Sequence, residues 1–225
     1  MCGRYTLTTG GAGLAVVFGL TEVPVLVPRY NIAPSQGVPV VRLTSGRREL
    51  AHLRWGLIPG WATDPTIGNR FINARAETIA DKPTFRYALH RRRCLVLADG
   101  FYEWCAAQGN QRKKQPYLIR RADQGSFAIA GLWENWRSPT GAEIESCILI
   151  TTTANPLVVP IHQRMPVILS EPECEQWLDP VIDRSDRLLA LLRPYAGHNL
   201  VLFPIGPWVN HPSHDDPQCL QPLIG

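Results

Sequence analysis

Val38-Pro39-Val40-Val41-Arg42-Leu43-Thr44 is followed, across Ser45-Gly46-Arg47-Arg48-Glu49, by Leu50-Ala51-His52-Leu53-Arg54. Two β-rich runs joined by so short a connection favour antiparallel pairing, because parallel strands need a crossover of about a dozen residues or more. The pattern recurs outward along the chain, in Cys94 to Ala98, Tyr117 to Arg121, Ser126 to Leu132, Cys147 to Thr152, Pro166 to Leu169 and Leu200 to Ile205. Helical patterns are fewer: Ala12 to Leu20, Ile79 to Arg91, Glu171 to Leu178 behind Ser170 as an N-cap, and Asp183 to Leu192. The 20 prolines and 18 glycines are spread evenly and cut the chain into short elements. No repeat or linker divides it. The expectation is one α+β domain over residues 1–225, built on a strongly bent antiparallel sheet.

A chain of 225 residues, 45% hydrophobic and 19% charged, is long and apolar enough for a sizeable core. The net charge of +4 is compatible with a polyanionic partner without requiring one. No apolar run reaches membrane-span length, and Met1-Cys2-Gly3-Arg4 does not open a signal-type segment. A cytoplasmic protein with no membrane association is expected. The six cysteines (Cys2, Cys94, Cys105, Cys147, Cys174 and Cys219) include no C-x-x-C pair, which argues against a zinc ribbon or a redox dithiol. Neither a metal nor a cofactor is expected.

Cys2 is set apart by its position. Glycine follows it and Met1 precedes it, and a small second residue is the usual condition for removal of the initiator methionine. Removal would leave an aminothiol, its amine with a pKa of about 7.7–8.0 and its thiol about 8.5, both partly reactive near neutrality. An aminothiol reacts with an aldehyde in two steps: the amine forms a Schiff base, and the thiol then closes a thiazolidine ring. The competing reading is an incidental second residue at a frayed terminus.

Other polar residues cluster in short blocks. Asp99-Gly100-Phe101-Tyr102-Glu103-Trp104 carries an acid in an aromatic β-type stretch, where desolvation would raise its pKa toward proton-transfer duty; a solvent-facing strand glutamate is the alternative. Asn73 and Arg75 lie two residues apart and share a face if the segment is extended, with an amide to hold a polar ligand and a guanidinium to clamp phosphate. His162 and Arg164 are spaced likewise on a loop leaving a strand. Around Trp55-Gly56-Leu57-Ile58-Pro59-Gly60-Trp61, aromatic and basic residues interleave as they do where single-stranded nucleic acid is stacked and neutralised, although most tryptophans are core. Residue chemistry alone thus yields a candidate N-terminal nucleophile, an acid, a histidine and several arginines, with no substrate named.

Taken in order, the blocks are specific. Met1-Cys2-Gly3-Arg4-Tyr5, Arg29-Tyr30-Asn31-Ile32-Ala33-Pro34, Trp55 to Pro59, Ile72 to Thr78, Ala98 to Trp104, Ala130-Gly131-Leu132-Trp133-Glu134, Thr151-Thr152, Ala154-Asn155, Ile161 to Pro166 and Val209-Asn210 together resemble the SOS-response-associated peptidase (SRAP) family, almost end to end. The resemblance implies a curved, barrel-like antiparallel β-sheet flanked by short helices, and covalent capture of abasic sites in single-stranded or junction DNA. It implies that Cys2 forms the thiazolidine with the ring-opened sugar, that Asn73 holds the linkage, that Glu103 assists proton transfer at the amine, and that His162 assists sugar ring opening. Arg4, Arg75 and Arg164 match arginines that grip phosphates, while Pro34 and Trp61 fall in segments that line or wedge the DNA. Leu97 departs from the family pattern, where proline is frequent, and touches none of these residues. A DNA-associated monomer with a suicidal, lyase-like chemistry is expected. Two competing readings are a thiol peptidase acting on itself or other protein, and a non-covalent single-stranded DNA-binding module.

Overall fold

Ser45 and Gly46 both adopt left-handed conformations, at φ 51° and 76°. A two-residue turn of this kind twists in the sense that paired strands require. It joins β3 to β4, with Thr44 opposite Arg47 at one end and Gly37 opposite Arg54 at the other. The computed structural model describes residues 2–106 and 114–223; Met1, whose removal the sequence leads one to expect, lies outside them. The strands are β1 (Tyr5–Leu7), β2 (Arg29–Ile32), β3 (Gly37–Thr44), β4 (Arg47–Trp55), β5 (Asn73–Arg75), β6 (Arg93–Ala98) and β7 (Gly100–Cys105), then β8 (Gln115–Arg121), β9 (Phe127–Arg137), β10 (Glu143–Thr153), β11 (Arg164–Pro166), β12 (Ile168–Leu169) and β13 (Leu200–Pro204). The helices are α1 (Gly11–Phe18), α2 (Pro83–Arg91), α3 (Glu171–Leu178) and α4 (Ser185–Leu191).

Five strands close a barrel in the order β4–β3–β6–β9–β10, and β10 returns to β4. The curved, barrel-like sheet with short helices is therefore present. Its closing seam differs from the antiparallel expectation: Ser146 and Cys147 of β10 run parallel to Arg54 and Trp55, and β5 also joins β10 in parallel. Short connections report only on neighbours in the chain, and these partners are far apart in it. The register sets Val40, Leu53, Trp55, Val96, Ile129 and Leu149 on one face of these strands and Leu95, Leu97, Ile148 and Ile150 on the other; all are fully buried, and removing that area from water stabilises the fold by roughly 25 cal/mol per Å².

The second sheet, β13–β8–β7–β1–β2, is antiparallel throughout. The chain passes from the barrel into it at Asp99, between β6 and β7. Near the far end of β10 the β9 partner diverges, and the segment after Arg164 fills the opening: Val167 donates to Ile150 O at 2.9 Å and accepts from the Ala130 N–H at 2.9 Å. The expected Pro166–Leu169 run is split accordingly, β11 facing β10 and β12 facing β9.

Helix bounds follow local rules. α1 stops at Phe18 because Gly19 turns left-handed at φ 61°. α2 begins at Pro83, later than the expected Ile79: proline fits the first turn of a helix, and the residue before it, Lys82, stays extended. A 3-10 turn over residues 76–78 precedes this segment. α3 starts behind Ser170 as expected, with Glu173 accepting from the Ser170 N–H at 2.8 Å.

Candidate functional site

The second residue is not frayed. Tyr5 and Thr6 of β1 pair with Phe101 and Gly100 of β7, and the Tyr102 N–H donates to Arg4 O at 3.0 Å, carrying the register one residue further toward the terminus. The same register extended sets Gly3 beside Glu103. Tyr5 packs against Trp55 with ring centroids 5.4 Å apart, and Cys2 itself is fully buried. The Asn73 Nδ2 donates to Cys2 O at 2.7 Å. Asn73 is delivered from the other sheet, through the parallel register of β5 on β10 (Asn73 beside Leu149). The expected sharing of a face by Asn73 and Arg75 agrees with β5, where Ala74 between them is buried and Arg75 is exposed.

His162 comes from the turn between β10 and β11. That turn is fixed by Ala154 N–H to Gln163 O (3.0 Å), His162 N–H to Val158 O (3.0 Å) and Asn155 Nδ2 to Tyr195 O (3.1 Å). The imidazole Nδ1 stands 3.9 Å from Glu103 Oε1, beyond direct hydrogen-bond length, and lies against the Arg164 backbone, 3.0 Å from its N and 3.1 Å from its carbonyl O. Cys2, Asn73, Glu103 and His162, scattered through the sequence, are thereby joined in one cluster.

Burial governs the electrostatics of this cluster. Glu103 is 2% exposed, and desolvation pushes its carboxyl up to about 7. Desolvation also lowers the His162 pKa, partly opposed by the backbone at Arg164. Burial first, and the nearby Glu103 charge second, push the Cys2 thiol well above its ordinary range. The site therefore holds a neutral thiol, a carboxyl poised at neutrality and a largely neutral imidazole.

The expected phosphate-gripping arginines fare differently from one another. Arg4 is half-buried and donates from Nη1 to Asn31 Oδ1 (2.8 Å) and Val209 O (2.9 Å). Arg164 is held by Glu77 through two hydrogen bonds of 2.6 and 3.0 Å. Arg75 is exposed. Trp61 is 64% exposed while Trp55 is core, so the aromatic pair expected around Gly56 divides between surface and interior. Pro34 precedes Ser35, which has a left-handed φ of 68°. Arg54 ties that turn to the next loop, donating to Ser35 O (2.9 Å) and Asn69 Oδ1 (2.7 Å).

The family model for "SOS response associated peptidase (SRAP)" matches residues 1–212. The chain belongs to the SRAP family. It is 39% identical to a Bacillus subtilis (strain 168) protein named "Abasic site processing protein YoqW", over 98% of this chain and 99% of that one. It is 34% identical to the Mus musculus "Abasic site processing protein HMCES" over 87% of this chain and 65% of the relative. A crystal structure of a Bacteroides thetaiotaomicron protein superposes with a TM-score of 0.88 at 28% identity, covering 99% of this chain and all of that one.

In this SRAP chain several working residues lie outside the expected set. Asn31 takes the Arg4 guanidinium and donates to Val209 O, His211 O and His214 O at 2.7–3.1 Å. Asp99 anchors the turn after β1 and Glu77 pairs with Arg164. Each stands inside a block quoted from the sequence, yet spacing alone does not distinguish a clamp from a strut. Among the described residues, no group of three or more His, Cys, Asp or Glu side chains is arranged to hold a metal ion, and no helix is long and apolar enough to cross a membrane. A cavity of about 320 Å³ between α1, β9 and α3 is lined by none of the four clustered residues.

Proposed function

We propose that this protein processes abasic sites in single-stranded DNA by bonding covalently to them through Cys2, once Met1 is removed. The observation that carries the reading is the Asn73 Nδ2 to Cys2 O hydrogen bond of 2.7 Å. It fixes the second residue beside a carboxyl whose pKa is about 7, in a chain whose relatives bear abasic-site names.

The chemistry follows from the groups present. The ring-opened sugar offers an aldehyde. The Cys2 amine adds to its carbon, and Glu103 accepts the proton the amine sheds. Delivered to the alkoxide, that proton gives the carbinolamine; the second nitrogen proton, passed through Glu103 to the hydroxyl, lets water leave and a C=N bond form. Because burial keeps the thiol protonated, the amine acts first. The Sγ–C bond then forms, the imine nitrogen takes up the thiol proton, and the five-membered ring closes. His162, 3.9 Å from Glu103, supplies the proton that assists sugar ring opening. Trp61 and Pro34 offer stacking and wedging surfaces, and Arg75 an exposed charge for the backbone, as single strands require. A DNA-associated monomer completes the reading.

The test is a denaturing gel of processed protein with single-stranded abasic DNA. A denaturant-stable adduct is expected, lost in Cys2→Ala and in a variant that keeps one extra residue before Cys2. An adduct in the blocked variant would overturn the thiazolidine step. Binding without an adduct would favour the non-covalent module, and cleavage of unrelated proteins would favour the peptidase.

A further inference from the structure

We propose that the outer face of α2 is a second contact surface for single-stranded DNA, carrying the strand that flanks the lesion away from the Cys2 cluster. The inference rests on the single-strand reading above but not on the covalent step. Its first support is charge. Residues 82–93 contain Lys82, Arg86, Arg91, Arg92 and Arg93 and no acid. Two of these cations are engaged within the protein. Arg92 pairs with Glu134, and the buried Arg93 donates to the backbone carbonyls of Leu89, His90, Trp177 and Asp179. The other three are exposed and, among the described residues, paired with no carboxylate. From Lys82 to Arg91 they form a row about 13 Å long, at 1.5 Å per helical residue.

A basic row alone would be a solvated face; the second support is aromatic. Among the described residues only Trp61 (64%) and Tyr87 (59%) expose most of an aromatic side chain. Trp61 belongs to the surface proposed above for DNA, and Tyr87 lies between Arg86 and Arg91 on α2. The Tyr87 ring is braced. The Arg92 guanidinium carbon sits 5.1 Å from its centroid and 5.3 Å from that of Trp133, and Glu134 holds that guanidinium. A ring already fixed loses little freedom when a base stacks on it, and cations interleaved with exposed rings are what a single strand needs. The third support is continuity. α2 follows the turn after β5, where Arg75 is exposed, and its buried Phe85 packs edge-on against Phe71 at 5.9 Å. Phe71 in turn closes the loop that carries Trp61, accepting from the Leu57 N–H at 3.1 Å. The helix is thus fixed to both elements that present the nearer contacts.

The test compares lesion-free single strands of about five and about fifteen nucleotides, within the usual range of single-strand site sizes. Wild type should bind the longer strand more tightly and with a steeper salt dependence. The double variant Arg86→Ala/Arg91→Ala should flatten the long-strand log–log slope by roughly 1.4, about 0.7 for each lost contact, and leave the short-strand slope unchanged. Tyr87→Ala should weaken long-strand binding roughly five- to a hundredfold, and Tyr87→Phe should restore it, because stacking needs only the ring. At a saturating concentration of a short abasic strand, all three variants should crosslink at the wild-type rate. A thermal melt of each variant reports its fold independently. If wild type forms no adduct, the covalent reading fails while the binding titrations still judge this surface; if it binds no single strand at all, both fail. Equal wild-type slopes on the two lengths would overturn the α2 surface alone. So would an unchanged long-strand slope in the double variant, unchanged affinity in Tyr87→Ala, or equal losses on both lengths, which would mark a general field effect.

Discussion

Asp99 and Glu103 are carboxylates four residues apart on one continuous stretch of chain, both buried, and they are treated in opposite ways. Asp99 receives five hydrogen bonds: Thr8 N–H (2.5 Å) and hydroxyl (2.9 Å), Thr9 N–H (2.9 Å) and hydroxyl (2.9 Å), and Ser126 hydroxyl (2.6 Å). A buried anion so supplied with donors is a fastener; it pins the turn after β1 at the point where the chain changes sheets. Glu103 lies where burial outweighs its stabilising contacts and lifts its pKa to about 7. One carboxylate holds the N-terminal strand in place, and the other faces what that strand delivers. Burial alone does not mark function; the balance of donors against desolvation does.

The sharpest way to break this comparison is to exchange the outcomes. Glu103→Gln keeps the shape and removes the titrating group, so crosslinking should slow by about 10²–10⁴-fold while the melting temperature stays near wild type at neutral pH. Asp99→Ala should do the reverse. It strands the Thr8 and Thr9 N–H groups without their acceptor and should lower stability by about 3 kcal/mol in chemical denaturation. Any loss of crosslinking should recover in the fraction that remains folded. Equal stability losses for the two variants would erase the distinction.

Next in size is a pH effect. The folded carboxyl of Glu103, at about 7, binds its proton more tightly than the unfolded one, at about 4.3. Between those values the native state carries more protons, so the contribution of Glu103 to stability falls as pH rises from about 4.5 through 7, by an amount on the order of 1–3 kcal/mol. Glu103→Gln should lack that slope, so its stability relative to wild type should be better at pH 8 than at pH 5. A parallel pair of stability–pH curves would show that Glu103 does not titrate in this window.

The sequence and the structure meet unevenly. Short connections correctly foretold the β3–β4 hairpin, and the turn residues Ser45 and Gly46 bear it out with φ values of 51° and 76°. The barrel seam was invisible, because Ser146 meets Arg54 in parallel without any local signal. Within the site, the two-residue spacing of His162 and Arg164 was legible, but its meaning was not. The histidine nitrogen lies against the Arg164 backbone, and the arginine side chain turns to Glu77, a partner far away in the chain. Asn73 and Cys2 illustrate the same gap: each block was evident, whereas the bond that unites them depends on two sheets meeting.

The smallest predicted effects extend the contrast to the arginines. Arg4 is a fastener like Asp99, its Nη1 donating to Asn31 Oδ1 and Val209 O, and burial lowers its pKa. Arg75 is exposed at the end of β5, two residues from Asn73, and is available to a DNA phosphate. Replacing Arg75 with Ala should leave folding within about 0.5 kcal/mol of wild type while flattening the log–log salt dependence of single-strand binding by about one unit, the signature of one lost phosphate contact. Arg4→Ala should show the opposite balance. It leaves the Asn31 and Val209 acceptors short of a donor, so stability should drop by about 1–2 kcal/mol, with a smaller change in salt slope. The measurements are a salt titration of binding and a denaturant melt for each variant. Should Arg75→Ala keep the full slope while Arg4→Ala loses a whole unit at unchanged stability, the half-buried arginine would be the phosphate ligand, and the division between fastener and contact residue drawn from burial would fail at this surface.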